Sequence, residues 1–114
     1  MKGEHSESRL TDFMREAAMV AQFQHPNVIA LVGVCTAGAP AMLVMQYCEH
    51  GSLRAFLRSH IDFNELRLRS KIRILLDVAE GMSYLSSQHV VHRDLSARNV
   101  LVGGDFVCKV GRVF

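Results

Sequence analysis

The first part of the chain has the apolar spacing of a helix and then changes to uninterrupted apolar runs. Near the N-terminus, apolar residues recur at helical spacing with charged residues between them: Leu10, Phe13, Ala17, Val20 and Ala21. This helix should end before Pro26, because proline disfavours the α conformation of the residue before it. The runs 28–35 and 41–47 are rich in Val, Leu, Ile and Met, so the pattern predicts two strands there.

Two further helices are predicted in the middle of the chain. Gly51-Ser52 is typical of a turn followed by a helix N-cap. The short helix that follows should bury three apolar residues, Leu53, Phe56 and Leu57. A longer helix is predicted from about Leu66 to Ser87. Its apolar face comprises Leu68, Ile72, Leu75, Ala79 and Met82, widened by Leu76 and Leu85.

Short apolar runs separated by polar turns complete the chain, at 90–91, 99–102 and 106–110. Gly103-Gly104-Asp105 lies between the last two runs and is typical of a hairpin connection. The order of helix, strands, helices and small strands lacks the regular alternation that builds a parallel sheet. The pattern therefore predicts an α+β fold.

Charge and cysteine content exclude several classes of protein. The 114 residues suffice for one small domain, and 13 Lys and Arg nearly balance 11 Asp and Glu, so we expect neither nucleic acid nor an anionic membrane as partner. The basic cluster at 67–73 is expected to be a solvated helix face. The three cysteines include no Cys-x-x-Cys pair, which favours a reducing, intracellular setting without disulfides or zinc.

One passage has the length of a membrane span. Residues 28–45 carry no charge, which just reaches the threshold for a transmembrane helix. The turn-forming run Thr-Ala-Gly-Ala-Pro at 36–40 divides the passage, so two buried strands explain it better. The N-terminus also lacks the apolar stretch of a signal peptide. We therefore expect no membrane span in this segment.

The stretch His-Arg-Asp-Leu-Ser-Ala-Arg-Asn at 92–99 carries the chemistry of the chain. It fits the catalytic-loop pattern of protein kinases at every specified position. Serine/threonine kinases usually place a Lys two residues after the Asp, where this chain has Ser96, whereas Arg98 matches the tyrosine kinase form. The segment thus resembles the catalytic loop of a protein tyrosine kinase. Read singly, Asp94 could be a turn residue and Asn99 a cap.

The resemblance implies a role for each polar residue of this loop. Phosphoryl transfer from MgATP to a protein tyrosine needs a carboxylate to accept the hydroxyl proton, and Asp94 would be that group. Asn99 would offer an amide oxygen to Mg²⁺. Arg98 would place a cation beside the phosphoryl group. Arg93 would pair with a phosphorylated residue of the activation loop, and its neighbour His92 is expected to be a packed structural residue.

Further similarities to the family extend over nearly the whole chain. Asp-Phe-Met-Arg-Glu-Ala at 12–17 looks like helix αC, in which Glu16 would form the ion pair with a strand β3 Lys; alone, Glu16 would be an exposed helix charge. The run 42–49 resembles strand β5 and the hinge. The adenine site implied by the resemblance has Met45 as gatekeeper, backbone contacts at Gln46 and Cys48, and Leu101 under the ring. A Leu in an apolar strand is more often core.

Three parts of the family's machinery do not occur in the sequence. It has no Gly-x-Gly-x-x-Gly loop and no Val-Ala-x-Lys strand, and after Gly111 it reads Arg112-Val113-Phe114 where the family has Asp-Phe-Gly. A cation such as Arg112 cannot coordinate Mg²⁺.

We therefore expect an incomplete kinase domain, with a small-lobe part and the start of the hinge at 1–47 and a large-lobe part at 48–114. This fragment of an ATP-dependent tyrosine kinase is expected to be inactive. The alternative is a pseudokinase or truncated isoform that acts as a binding module. Leu75, Leu76 and Met82 should form exposed apolar patches, because the resemblance packs them on helices that are not in this sequence.

Overall fold

The computed structural model describes residues 2–38, 40–59 and 67–111, with the side chains of 2–7 and 59 left out of the description. The helices are α1 (Lys2–Ala21), α2 (Leu53–Ser59) and α3 (Leu68–Ser87), and a 3₁₀ turn covers Ala97–Asn99. The strands are β1 (Leu31–Cys35), β2 (Met42–Met45), β3 (Val100–Val102) and β4 (Cys108–Val110). They form two antiparallel two-stranded sheets, β1–β2 and β3–β4. The predicted α+β fold is confirmed.

Helix α1 ends before Pro26, as predicted. The amides of Gln22 and Phe23 bond back to the carbonyls of Met19 and Val20, which closes the last turn. Ala17 and Val20 are buried on the inner face of the helix. The chain then turns through 25–27, where the Asn27 amide donates to Nδ1 of His25 at 3.0 Å.

The first two strands are shorter than the predicted runs 28–35 and 41–47. Val28 leaves the β1–β2 sheet and forms an isolated parallel bridge with Val110 of β4. Beyond β2, the Gln46 amide still donates to the carbonyl of Ala30 at 2.8 Å, but the ladder stops there. The apolar run at 28–29 therefore serves a long-range contact with β4 that local periodicity does not reveal.

Helix α2 begins as the sequence predicts. Gly51 adopts φ 68°, which glycine tolerates without a steric penalty. The Ser52 hydroxyl then accepts a hydrogen bond from the Ala55 amide at 3.1 Å, which is N-cap geometry. Leu53 and Phe56 are buried, and Leu57 is half-buried.

Helix α3 buries only the C-terminal part of its predicted apolar face. Most of the predicted face is exposed: Leu68, Ile72, Leu75, Leu76 and Ala79. Met82 is half-buried, Leu85 is fully buried, and Asp77 and Gly81 are buried beside them. Ile74 and Val78 also pack partly against the neighbouring elements, whereas the apolar residues on the other sides of α3 face solvent. The predicted start at Leu66 lies outside the described residues.

Two apolar clusters hold the elements together. The first joins α1, α3 and β4 through Val20, Phe23, Val28, Leu85 and Val110, with Met45 packed against it. The second joins α2 to the β3–β4 hairpin through Leu53, Phe56, Val100, Val102 and Cys108. The first cluster draws residues from both sides of the predicted division at 47/48, which remains a prediction.

The β3–β4 hairpin has its turn where the sequence places it. Val100 pairs with Val110 and Val102 with Cys108, and residues 103–107 connect the strands. The Gly103 amide donates to the Val107 carbonyl at 3.0 Å, and Phe106 takes φ 64° within the turn.

Among the described residues, no helix is both long and apolar enough to cross a membrane.

Candidate active site

The loop 92–99 lies between the end of α3 and strand β3. The helix closes with the Val90 amide bonded to the carbonyl of Leu85 at 3.0 Å, and His89 takes φ 60°, the left-handed conformation typical of a helix end. At the other end, the 3₁₀ turn Ala97–Asn99 leads directly into the buried Val100. Both ends of the loop are thus fixed by regular structure.

His92 links the loop to the residue after β4. Its Nδ1 accepts a hydrogen bond from the Asp94 amide at 3.1 Å. Since Nδ1 is the acceptor, the neutral ring carries its proton on Nε2, which lies 2.6 Å from the Gly111 carbonyl oxygen and donates to it. This half-buried imidazole uses both nitrogens to fix backbone, which suits the structural role expected of it.

Asp94 and Arg98 form an exposed ion pair. Nη2 of Arg98 lies 2.8 Å from Oδ2 of Asp94, and both side chains are more than half exposed. The hydrogen bond from Arg98, and after it the amide of Asn99, lowers the pKa of the Asp94 carboxyl. The carboxylate is therefore ionised at neutral pH and open to solvent.

Asn99 is 2% exposed, and its side chain forms a hydrogen bond within the loop. Its Nδ2 donates to the Asp94 carbonyl at 2.6 Å, which orients the amide. Its Oδ1 is buried and has no hydrogen-bond partner in the described part of the chain. An unpartnered amide oxygen beside a carboxylate fits a hard cation such as Mg²⁺.

A complete metal site is not formed by the residues described. They contain no group of three or more His, Cys, Asp or Glu able to hold a metal ion. Arg112, which occupies the family's second ligand position in the sequence, lies outside the described residues.

Arg93 is exposed and makes no ion pair in the described ranges, which leaves its guanidinium available.

The predicted adenine-site residues lie around β2 and β3. Met45 is half-buried at the end of β2, and Leu101 is half-buried at the centre of β3. The Cys48 carbonyl accepts from the Gly51 amide at 3.0 Å. Within the described residues, no hydrogen bond involves the Gln46 carbonyl or the Cys48 amide, the groups proposed to face adenine. The His50 amide donates to the Val102 carbonyl, and the Val102 amide donates to the Gly51 carbonyl, which places this segment against β3.

Glu16 lies apart from these groups. It is exposed on α1 and makes no ion pair with any described residue. The hydrogen bonds of the structure thus join four of the predicted residues in the loop, His92, Asp94, Arg98 and Asn99, but not Glu16.

The three thiols differ in environment. Burial raises the pKa of Cys48, and burial together with the charge of Asp77 raises the pKa of Cys108 to about 11. Both residues are buried, whereas Cys35 is partly exposed in β1. All three are free thiols in the structure.

Gly111 is a site residue that was not predicted from the sequence. Its amide donates to the Asn99 carbonyl at 2.8 Å, and its carbonyl accepts from His92, so it binds the loop at two points. The only feature of the sequence that pointed to Gly111 was its position directly before Arg112. Asn27 was also missed, although its Nδ2 donates to the Cys108 carbonyl at 3.0 Å and so holds β4.

The loop geometry and the α+β arrangement around it define a class of protein. The family model for protein tyrosine and serine/threonine kinases matches residues 1–113. The chain belongs to this protein kinase family, and the recognition made from the loop 92–99 is confirmed.

The particular proteins that it resembles are receptor kinases. Ephrin type-A receptor 8 of Rattus norvegicus is 50% identical over 111 residues, which cover 96% of this chain and 29% of the relative. The Mus musculus receptor of the same name is 48% identical over 110 residues, and ephrin type-B receptor 4b of Danio rerio is 45% identical over 111. In both cases the match covers 96% of this chain and 11% of the relative.

Proposed function

We propose that this segment is part of an ATP-dependent protein tyrosine kinase of the receptor type, working on the intracellular side of the membrane. The observation that carries the proposal is the loop geometry, in which an ionised, exposed Asp94 is paired with Arg98 beside the unpartnered oxygen of Asn99. Similarity to ephrin receptors supports the receptor type. Its partner would be a protein with an accessible tyrosine, and neither nucleic acid nor a membrane surface.

The reaction assigns each loop residue a step. The tyrosine oxygen attacks the γ-phosphorus, the bond from that phosphorus to the leaving ADP oxygen breaks, and the hydroxyl proton passes to Asp94. MgATP supplies the phosphoryl group and the charge neutralisation. Arg98 places a fixed cation beside the path of the group and also keeps Asp94 ionised. Asn99 would hold Mg²⁺ through Oδ1 while its Nδ2 fixes the Asp94 backbone.

The remaining predicted residues would bind ATP and respond to regulation. Met45 and Leu101 would line the adenine pocket, with the Gln46 carbonyl and the Cys48 amide at the adenine edge. Glu16 would pair with a phosphate-binding lysine that is not among these 114 residues. Arg93 would bind a phosphorylated residue of an activation loop.

We further propose that the 114 residues do not transfer phosphate by themselves. They hold no glycine-rich phosphate loop, no Val-Ala-x-Lys strand and no Asp-Phe-Gly. Positioning and electrostatic stabilisation supply nearly all the catalysis of phosphoryl transfer, so loss of these groups should leave negligible activity.

Arg112 favours a second candidate, a pseudokinase or truncated isoform that acts as a binding or regulatory module. A guanidinium at the position of the metal-binding carboxylate repels Mg²⁺ instead of holding it. A product that keeps Arg112 would retain the fold of the segment and bind partners without chemistry.

A pair of chimeras tests both candidates. Residues 1–111 of this chain replace the matching segment of an active receptor tyrosine kinase domain, which keeps its own Asp-Phe-Gly. A second graft extends to 112 and so differs by Arg112 alone. We expect the first graft to phosphorylate a tyrosine peptide, its Asp94→Asn form to lose about 10²- to 10⁴-fold in kcat, and the second graft to be inactive.

Two outcomes would contradict these assignments. A folded 1–111 graft that binds MgATP but transfers no phosphate would overturn the kinase proposal in favour of the binding module. An active graft that carries Arg112 would remove the observation on which the second candidate rests.

A further inference from the structure

Asp77 is a buried carboxylate outside the loop 92–99. It lies in the middle of α3, is 8% exposed, and its Oδ2 accepts a hydrogen bond from the Cys108 amide at 3.0 Å. The nearest cation, Arg73, is 72% exposed and reaches Oδ1 only at 4.0 Å. The Asp77 carboxylate is therefore bound more closely by the Cys108 backbone amide than by the Arg73 guanidinium.

The other backbone group of Cys108 is held by a different element. Nδ2 of Asn27, in the turn after α1, donates to the Cys108 carbonyl at 3.0 Å. The Val110 amide donates to the Asn27 carbonyl at 2.8 Å, and the Ile29 amide donates to the Val110 carbonyl at 2.9 Å. Strand β4 is thus fixed on the side away from β3 by two buried polar side chains and two backbone hydrogen bonds.

Strand β4 is connected to the loop 92–99 through Gly111. Gly111 follows β4 directly, donates from its amide to Asn99 and accepts from His92. His92 and Asn99 in turn bind the two backbone polar groups of Asp94, its amide and its carbonyl. Hydrogen bonds at both ends of the segment 108–111, joined by its covalent backbone, therefore connect Asp77 in α3 to Asp94.

We propose that Asp77 is a positioning residue for phosphoryl transfer: its carboxylate fixes the Cys108 amide and so sets the placement of Gly111, His92 and the catalytic Asp94. The contribution of Asp77 to catalysis rests on the proposed function, in which Asp94 accepts the substrate proton. The geometric part concerns only β4 and the loop, so it can be tested whether or not the segment transfers phosphate.

Removal of the acceptor is the direct test. Asp77→Leu keeps the number and branching of the side-chain heavy atoms and replaces both oxygens with bulkier methyl groups, whereas Asp77→Asn keeps one acceptor for the Cys108 amide. Glu80→Leu and Glu80→Asn are the matched controls, because Glu80 is an exposed acid on the same helix. Amide exchange at Gly111 is measured by NMR in the full chain, together with the ¹⁵N shifts of the His92 ring.

We expect Asp77→Leu to raise the exchange rate of the Gly111 amide about tenfold or more. The His92 ring should lose the shift pattern of an Nε2–H tautomer with Nδ1 as acceptor. Asp77→Asn should restore both signals, which a purely volume-filling role for residue 77 would not require. Both Glu80 variants should leave both signals unchanged. Unchanged Gly111 exchange and His92 shifts in a folded Asp77→Leu chain would overturn the proposal.

A second measurement needs no variant and so does not depend on whether Asp77→Leu folds. Native-state hydrogen exchange of the unchanged chain in low denaturant compares the Cys108 and Gly111 amides. Equal opening free energies and equal denaturant slopes would support their movement as one unit. A Gly111 amide that opens while Cys108 stays closed would show that Asp77 does not control the loop.

Discussion

Asp94 and Arg98 are four positions apart and more than half exposed, so their pairing depends on one hydrogen bond and not on burial. We predict that Arg98→Gln raises the pKa of Asp94 toward its ordinary value of 3.8, because the first cause of the lowered value is lost. A ¹³C NMR titration of the Asp94 carboxyl measures this change. Arg93→Gln is the matched control, since the exposed Arg93 makes no ion pair in the described ranges.

The sign of the associated stability effect follows from the direction of that shift. A carboxyl whose pKa is lowered in the folded state stabilises the fold above its unfolded pKa, and this contribution is lost as the pH falls through the folded value. The window therefore lies on the acid side of 3.8. The pair is exposed and the contribution small, so the titration itself is the better readout. An equal titration of Asp94 in the Arg98→Gln and Arg93→Gln chains would contradict the assignment.

For single residues, the sequence predicted which residue types the loop contains but not which groups they form hydrogen bonds with. The spacing in 92–99 identified Asp94, Arg98 and Asn99 because phosphoryl transfer needs a base, a cation and an oxygen ligand at fixed separations. It could not show that Gly111 would bind both His92 and Asn99, since glycine carries no side chain and its role lies in its backbone groups. The roles of all these site residues remain predictions: Asp94, Arg98, Asn99, Arg93, His92, Met45, Gln46, Cys48, Leu101 and Glu16.

The contact between α3 and the turn after α1 depends on a glycine. A Cβ at Gly81 would lie 2.4 Å from the Asn27 carbonyl oxygen and 3.0 Å from a methyl group of Val110. We predict that Gly81→Ala destabilises the chain by about 1–3 kcal/mol, because backbone has to move to admit the methyl group. Urea denaturation followed by circular dichroism measures the loss.

Gly33→Ala is the control for this prediction. A Cβ at Gly33 has nothing within 4 Å, so its effect should stay within about 0.5 kcal/mol. If Gly81→Ala were as mild as Gly33→Ala, α3 would not be packed against the turn as closely as the structure shows.

The elements themselves were largely predictable, whereas their limits and inner faces were not. The Ser52 N-cap and the hairpin turn predicted at 103–105 follow local rules of capping and turn chemistry, and both were confirmed, although the connection extends to residue 107. Val28 departs from its predicted strand because its partner is Val110, which lies far away in sequence. The inner face of α3 also depended on distant elements, because apolar residues occur on several of its sides.

The whole chain is more extended than a compact domain of its length. Its radius of gyration is 16.2 Å, against about 13 Å expected for 100 residues. Leu75 and Leu76 are 69% and 50% exposed, as the sequence led us to expect, while Met82 instead packs partly against the first cluster. Exposed apolar area of this kind favours self-association.

We predict that the purified 114-residue chain self-associates and that Leu68→Lys with Leu75→Lys reduces this association. Both side chains are at least 69% exposed, so the free energy of unfolding should change by less than about 0.5 kcal/mol. Sedimentation velocity over a range of concentrations measures the association. Ser83→Lys with Ser86→Lys adds the same charge at two exposed polar positions of α3 and should leave association nearly as it is. A monomeric wild-type chain would refute the prediction.

The burial of two of the three cysteines also makes the chain convenient for labelling. A thiol-reactive fluorophore meets a protonated, enclosed sulfur at Cys48 and Cys108, whereas Cys35 offers a partly open one on β1. A dye added at neutral pH should therefore attach at a single place without any engineered cysteine. That place lies on the β1–β2 sheet and outside the loop 92–99, so the dye reports on the sheet while the loop stays chemically untouched.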